Sequence, residues 1–239
     1  MRKELKQLAD ALGAVRDQDV AIVALEELQA QTETEPIKEG VGKLLEERSD
    51  LRETARLDLT QALAVSNLND LQQRFAAAID KVARPKKSKR VVSFNEAGRD
   101  VVADSLQDLL DLGASLYEPF RTKELHEMRI AAKRLRYAVE LFTACWGERI
   151  APFAEEIADM QGFLGEVHDC DVWIESMGKR LQRGQGNAAT NGSDYQTASW
   201  LLSEFVKKRT KEYRSALKLW SEWEANHFAE RMRTMIQAA

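Results

Sequence analysis

A nine-residue segment occurs twice in this chain, and its recurrence narrows the possible folds more than any other feature. Leu12-Gly13-Ala14-Val15-Arg16-Asp17-Gln18-Asp19-Val20 matches Leu164-Gly165-Glu166-Val167-His168-Asp169-Cys170-Asp171-Val172 at a constant offset of 152 residues (164 minus 12). Leu, Gly, Val, Asp, Asp and Val recur in register. Each copy also follows an apolar series with helical spacing, Leu5 to Leu12 in one and Ile157 to Leu164 in the other. Two related helical bundles are therefore expected.

Composition agrees with helix. The 239 residues include four Pro and twelve Gly, are 44% hydrophobic and 31% charged, and are rich in Ala, Leu, Glu, Lys, Arg and Gln, a mixture that favours helix over sheet. The fold class expected is all-α. Two cysteines, Cys145 and Cys170, are too few for a disulfide framework and form no Cys-x-x-Cys spacing, which fits a reducing compartment. The charged N-terminus lacks the apolar run of a secretory signal, and nothing downstream reaches the ~20 apolar residues of a membrane span. We expect no membrane association and a cytoplasmic location.

The spacing predicts a helix ending at Gly13 and a second beginning beyond Arg16-Asp17, then a polar connection at 29–37, helices at about 41–65 and 69–82, and a basic linker, RPKKSKR, at 84–90. That linker separates an expected first half, 1–90, from a second, 91–239. The second half predicts helices at about 95–113, 122–146, 150–165 and 169–183. A loop, GQGNAATNGS, precedes a long helix at about 195–223, and a short helix closes near Met235. The helix carrying His126 has no counterpart 152 residues earlier in this sequence, so the first bundle is expected to be incomplete. An incomplete bundle exposes apolar surface; either the sequence starts short of its opening helices, or homo-oligomerisation or a helix supplied by another chain covers that surface.

Net charge is −4, from 35 basic and 39 acidic residues, which taken alone argues against an anion-binding protein. Local fields matter more than the sum. On the helix around 122–146, residues advance about 100° each, so His126, Arg129, Lys133, Arg136 and Tyr137 share one sector while Met128, Leu135, Ala138, Val139 and Phe142 lie opposite. Neighbouring cations repel by a few tenths of a kcal/mol per pair, so a purely structural helix more often intersperses acids. Lys207, Lys211, Arg214 and Lys218 form a second stripe at i, i+4, i+7 and i+11. Arg48, Arg52 and Arg56 form a weaker third, with Glu53 and Asp58 beside it. A solvated basic face explains any one stripe as well as binding does, but several stripes together suit a chain of phosphates, with Arg offering a planar fork and Lys a mobile point charge. His126 would add a donor once protonated.

The repeated Asp-x-Asp-Val also suggests metal ligands, His168, Asp169 and Asp171. Helix capping is favoured over that reading, because Asp after a Gly-containing break is what a helix N-terminus prefers. Gly13 and Gly165 read as helix ends. No catalytic residues, metal site or cofactor are expected: no nucleophile with an adjacent base and no Gly-rich phosphate loop stands out.

The run His126-Glu127-Met128-Arg129-Ile130-Ala131-Ala132-Lys133-Arg134-Leu135-Arg136-Tyr137-Ala138-Val139-Glu140-Leu141-Phe142, with the Leu-Gly-x-x-His-Asp-x-Asp-Val segment and its earlier echo, strongly resembles the conserved histidine α-helical domain family, CHAD. The resemblance extends over nearly the whole chain. It implies two helical bundles related by a pseudo-twofold axis and a basic surface that binds inorganic polyphosphate. By position, His-x-x-Arg-x-x-x-Lys-Arg-Leu-Arg implies binding roles for His126, Arg129, Lys133, Arg134 and Arg136, and the basic final helix adds Lys207, Lys211 and Arg214. The first half lacks its own His-x-x-Arg helix, a departure from the family pattern. The resulting expectation is non-catalytic polyphosphate binding in the cytoplasm, with association to polyphosphate granules. The alternatives are a protein-interaction scaffold with solvated basic faces and a metal-dependent phosphohydrolase using His126, His168, Asp169 and Asp171. Nucleic acid is a weaker partner, since no aromatic stacking platform accompanies the stripes.

Overall fold

Long runs of helix-favouring residues with few breakers give long helices. The structure, a computed structural model, describes residues 2–65, 68–83, 92–184 and 192–238. The helices are α1 (Arg2–Gln31), α2 (Glu35–Val65), α3 (Leu68–Ala83), α4 (Phe94–Asp111), α5 (Thr122–Leu141), α6 (Thr143–Trp146), α7 (Ala151–Gly184), α8 (Gly192–Ala225) and α9 (Phe228–Gln237), with 3-10 turns at Gly113–Tyr117 and Gly147–Ile150. Among the described residues there is no strand, and the protein is all-α. The basic linker at 84–90 and most of the loop expected at 184–193 lie outside the described residues.

Two sequence expectations fail in the same way. Neither Gly13 nor Gly165 ends a helix, because α1 and α7 each run straight through. An interior Gly costs about 1 kcal/mol relative to Ala, less than a long apolar face gains by staying continuous. Asp17, Asp19, Asp169 and Asp171 are consequently mid-helix residues and cap nothing. Their chemistry is lateral instead. Asp19 pairs with Arg52 of α2, and Asp171 pairs with Arg209 of α8 at 2.5 Å. The expected connection at 29–37 also shortens to residues 32–34, since α2 starts at Glu35 with Pro36 in its first turn, where a missing N–H costs nothing.

These two Asp–Arg pairs reveal how far the repeat extends. Arg52 and Arg209 differ by 157 (209 minus 52), and the same offset carries Leu71, Phe75 and Ile79 of α3 onto Phe228, Met232 and Ile236 of α9. Thus α1, α2 and α3 correspond in order to α7, α8 and α9.

The chain divides into two compact units. One comprises α1, α2, α3 and the opening of α8 through Thr197; the other comprises α4 to α7, α8 from Ala198, and α9. In the first, α1 and α2 form an antiparallel pair, buried at Ala21, Leu25, Val41 and Leu44. A fork of two bonds, 3.0 and 3.1 Å, from Arg74 of α3 to Glu4 of α1 holds that carboxyl down at about 2. Few side chains of this unit are buried.

The second unit has a full core. Leu106, Leu109, Leu116, Met128, Leu135, Ile157, Met160, Leu164 and Phe228 are all almost wholly buried. Ser93 caps α4 by accepting the Glu96 amide at 3.1 Å, with Glu96 three residues on, as in a capping box. Trp220 of α8 packs so closely on Gly113 that a Cβ there has no room. Arg209 also donates to the Pro119 carbonyl at 2.7 Å and Tyr213 donates to the Leu116 carbonyl, which seats the segment leading into α5.

The lateral reading of the aspartates makes a sharp prediction. Asp171→Ala leaves the Arg209 side chain, 12% exposed, without its carboxylate, and should lower stability by about 3 kcal/mol. Asp169→Ala, whose carboxylate meets the half-exposed His168, should cost less than about 1 kcal/mol. Denaturant midpoints of the two variants check this, and equal losses of about 1 kcal/mol would restore the capping reading.

Candidate anion-binding site

The site begins with the two faces of α5. Leu125, Met128, Ala131, Ala132, Leu135, Ala138 and Val139 are buried, and with Phe142 they form the packing face that the 3.6-residue period predicts. The opposite side carries His126, Arg129, Lys133, Arg136 and Tyr137. Arg134 is exposed at the edge of that sector.

Packing against α7 shapes the first half of the stripe. The His126 ring stacks on His168, with centroids 4.4 Å apart and planes 29° from parallel. His168 Nδ1 in turn lies 3.1 Å from Asp169 Oδ1. One turn along, Arg129 crosses α7 at Gly165, where an added Cβ would already lie 3.8 Å from Arg129 Nε. That is an ordinary van der Waals distance, so Gly165 marks where α5 and α7 pass close together and does not end a helix.

The second half of the stripe is built on Tyr137. Its ring lies 5.0 Å from the Arg136 guanidinium carbon and 5.6 Å from Lys133 Nζ, so the ring's negative face eases the crowding of two cations. Arg136 also reaches Glu140 at 3.3 Å.

Two features distinguish this stripe from an ordinary solvated helix face. His126 Nδ1 and Arg136 Nε are buried atoms with no hydrogen-bond partner among the described residues. Arg129, Lys133 and Arg134 have no carboxylate within ion-pair distance among the described residues. Burial, reinforced by His168 and Arg129 and opposed by Glu127, pushes the His126 pKa below the ordinary histidine value. Protonation of His126 is thus disfavoured in the structure as it stands, against the sequence expectation of a protonated donor.

The α8 stripe is of another kind. Phe205, Arg209, Tyr213, Ala216 and Trp220 face the core of the unit, so the helical period puts Lys207, Lys211, Arg214 and Lys218 on the opposite side. All four are exposed along one face of α8. Lys207, Lys211 and Lys218, themselves exposed, have carboxylate neighbours, the partly buried Glu204 and Glu212 and the exposed Glu222, at 2.7, 3.4 and 3.6 Å. Arg214 has none among the described residues. Such exposed pairs are weak and yield readily to a more highly charged competitor.

In the third stripe the cations are engaged. Arg52 pairs with Asp19 and Glu53, Arg56 reaches Glu53 at 3.3 Å, and Arg48 donates to Gln18 at 3.4 Å. Arg52 works as a tie between α1 and α2.

No group of three potential metal ligands gathers among the described residues; Asp171 turns to Arg209 and away from the histidines. Burial pushes the Cys170 thiol up to about 12, which leaves it protonated and a poor nucleophile at neutral pH. The His126–His168 stack and the Gly165 crossing were missed from sequence, although His168 stood in the repeated segment and was weighed there only as a metal ligand.

A family model described as the CHAD domain matches residues 1–178. The chain belongs to the CHAD family. The match takes in α1 to α6 and most of α7, including the His126 stripe and both copies of the repeated segment, and stops short of α8 rather than covering nearly the whole chain. CHAD domains generally bind ligands without transforming them. A comparison with curated proteins returned no match. Among the described residues no helix is long and apolar enough to cross a membrane.

The lowered His126 pKa fixes a sign. The unfolded chain takes up a proton at the ordinary histidine value, near 6.5, while the folded chain resists until a lower pH. The His126 contribution to stability is therefore complete above that ordinary value and is lost as pH falls through it toward the folded-state pKa. Thermal midpoints measured from pH 7.5 to 5 should fall further for the parent chain than for His126→Asn, and parallel curves would contradict the assignment.

Proposed function

We propose that this chain binds inorganic polyphosphate without catalysis, on the cationic faces of α5 and α8. The observation that carries the reading is the grouping on α5 of Arg129, Lys133 and Arg134, with Arg214 on α8, none of which has an acid within ion-pair distance among the described residues, beside the unpartnered nitrogens of His126 and Arg136. Holding like charges together costs free energy in the empty protein, and an anion recovers it on binding.

The donor set suits a chain of phosphates better than a single anion. Arg129 and Arg134 present planar forks to pairs of oxygens, Lys133 follows a mobile charge, and the α8 stripe runs over i to i+11 along one helix. An extended polyanion that spans both stripes would gain from each group it touches and release counterions along its length. A bound phosphate beside His126 would raise its pKa, so binding should tighten as pH falls. Membership of the CHAD family supports the same ligand, and a cytoplasmic location at polyphosphate granules follows from that ligand.

Single-stranded nucleic acid is the informative competitor, since it shares the charge but asks for aromatic platforms to stack on. The logarithm of polyphosphate affinity should fall linearly with the logarithm of salt. Arg129→Glu with Lys133→Glu should weaken binding at least about tenfold and flatten the salt slope, by roughly one for each phosphate that the variant no longer neutralises. Lys123→Glu, on the same helix but already beside Glu127 at 3.8 Å, should change affinity far less. Salt-independent binding, or equal weakening in the two variants, would overturn the proposal.

A further inference from the structure

The two halves of the α5 stripe are held by different means. His126 and Arg129 lie against α7, through the His168 ring and the Gly165 crossing. Lys133 and Arg136 meet instead on a residue of their own helix, Tyr137, whose ring is 49% exposed and takes no part in the core. Lys133 stands four residues before Tyr137, the spacing at which side chains of one helix touch, and its Nζ lies 5.6 Å from the ring centroid. Arg136 is the residue before Tyr137, and neighbours in sequence do not face each other on a helix. Its side chain turns back to bring the guanidinium carbon 5.0 Å from the same centroid, while Glu140 takes one nitrogen at 3.3 Å. Both ring distances fall inside the ~6 Å reach of a cation–π contact.

A Lys or Arg without support on a helix surface samples many rotamers, and fixing each one on a ligand costs free energy. Two such cations side by side also repel each other. One ring that attracts both opposes the two effects together, because it gathers the charges before any anion is present. We propose that Tyr137 is a positioning residue for the polyanion: its ring holds Lys133 and Arg136 together as a single two-cation grip and makes no charged contact with the ligand itself. This role rests on the polyphosphate reading and supplies what arranges part of its cations. A leucine would fill the half-exposed position as well for packing, but it has no negative π face to hold a cation.

Two measurements on the full chain separate this role from simple packing and from the polyphosphate reading. In the ligand-free protein an aromatic ring beside Lys133 shifts its ε-methylene proton resonance upfield. That shift should be present in the parent, kept in Tyr137→Phe and lost in Tyr137→Leu. Polyphosphate titrations over a series of salt concentrations then read the functional effect. Tyr137→Leu should bind about fivefold more weakly, the loss expected when exposed cation–π support is withdrawn. The slope of log affinity against log salt should not change, because both cations remain to displace counterions. Tyr137→Phe should stay within about twofold of the parent, since the face of the ring survives without the hydroxyl. Helical circular dichroism should be the same in all three proteins, because the buried residues of α5 lie on its other side. An unshifted Lys133 resonance in the parent would overturn the role. So would a Tyr137→Leu variant that binds as the parent does, or one whose salt slope drops by about one, the mark of a lost phosphate contact. A parent that keeps the Lys133 shift yet binds no polyphosphate at any salt removes the polyphosphate reading and the role with it, an outcome distinct from failure of the ring alone.

Discussion

The packing of α5 on α7 determines what the cationic surface can do. It brings two imidazoles face to face, seats Arg129 beside Gly165, and buries one nitrogen of His126 without a partner among the described residues. Each effect follows from helix-on-helix packing and none from a loop, so the donors sit on rigid supports. The cost of desolvating them is met by the apolar side of the same helix, whose seven buried residues lie in the core of the second unit. Core and site are opposite faces of one helix, and a change that shifts α5 moves both.

A net charge of −4 does not set the local field over α5. Acids are placed beside some cations and kept from others. Arg52, Arg56 and Arg209 have carboxylates within reach and serve the fold, whereas Arg129, Lys133, Arg134 and Arg214 have none among the described residues. A field of that kind falls off within about a Debye length, roughly 8 Å at physiological salt, so distant acids do little to cancel it. Burial, reinforced by His168 and Arg129, disfavours the charged form of His126 and so limits repulsion along the stripe.

Much of this was legible in the sequence, for reasons that differ from residue to residue. The two faces of α5 follow from spacing alone, since helical period needs no knowledge of neighbours, and the stripe His126, Arg129, Lys133 and Arg136 emerges as read. The repeat was legible because six identities in register are hard to obtain otherwise. Gly13, Gly165 and the repeated aspartates were misread because local rules describe helix ends, and the causes here lie on other helices: Arg129 for Gly165, Arg52 for Asp19, Arg209 for Asp171. Arg48, Arg52 and Arg56 look like a third binding stripe until Asp19, Gln18 and Glu53 are seen beside them. His168 stood in plain view, but only the crossing of α5 over α7 shows that its partner is a second imidazole.

The correspondence of α1, α2 and α3 with α7, α8 and α9 carries one more consequence. In the second unit the helices that bury the apolar face are also the ones that bear the unpaired cations, because α5 does both. In the first unit Arg48 and Arg52 of α2 reach Gln18 and Asp19 of α1, and Arg74 of α3 reaches Glu4 of α1, so these arginines tie helices together. Arg129, Lys133, Arg134 and Arg214, which have no acid within reach among the described residues, all belong to the second unit.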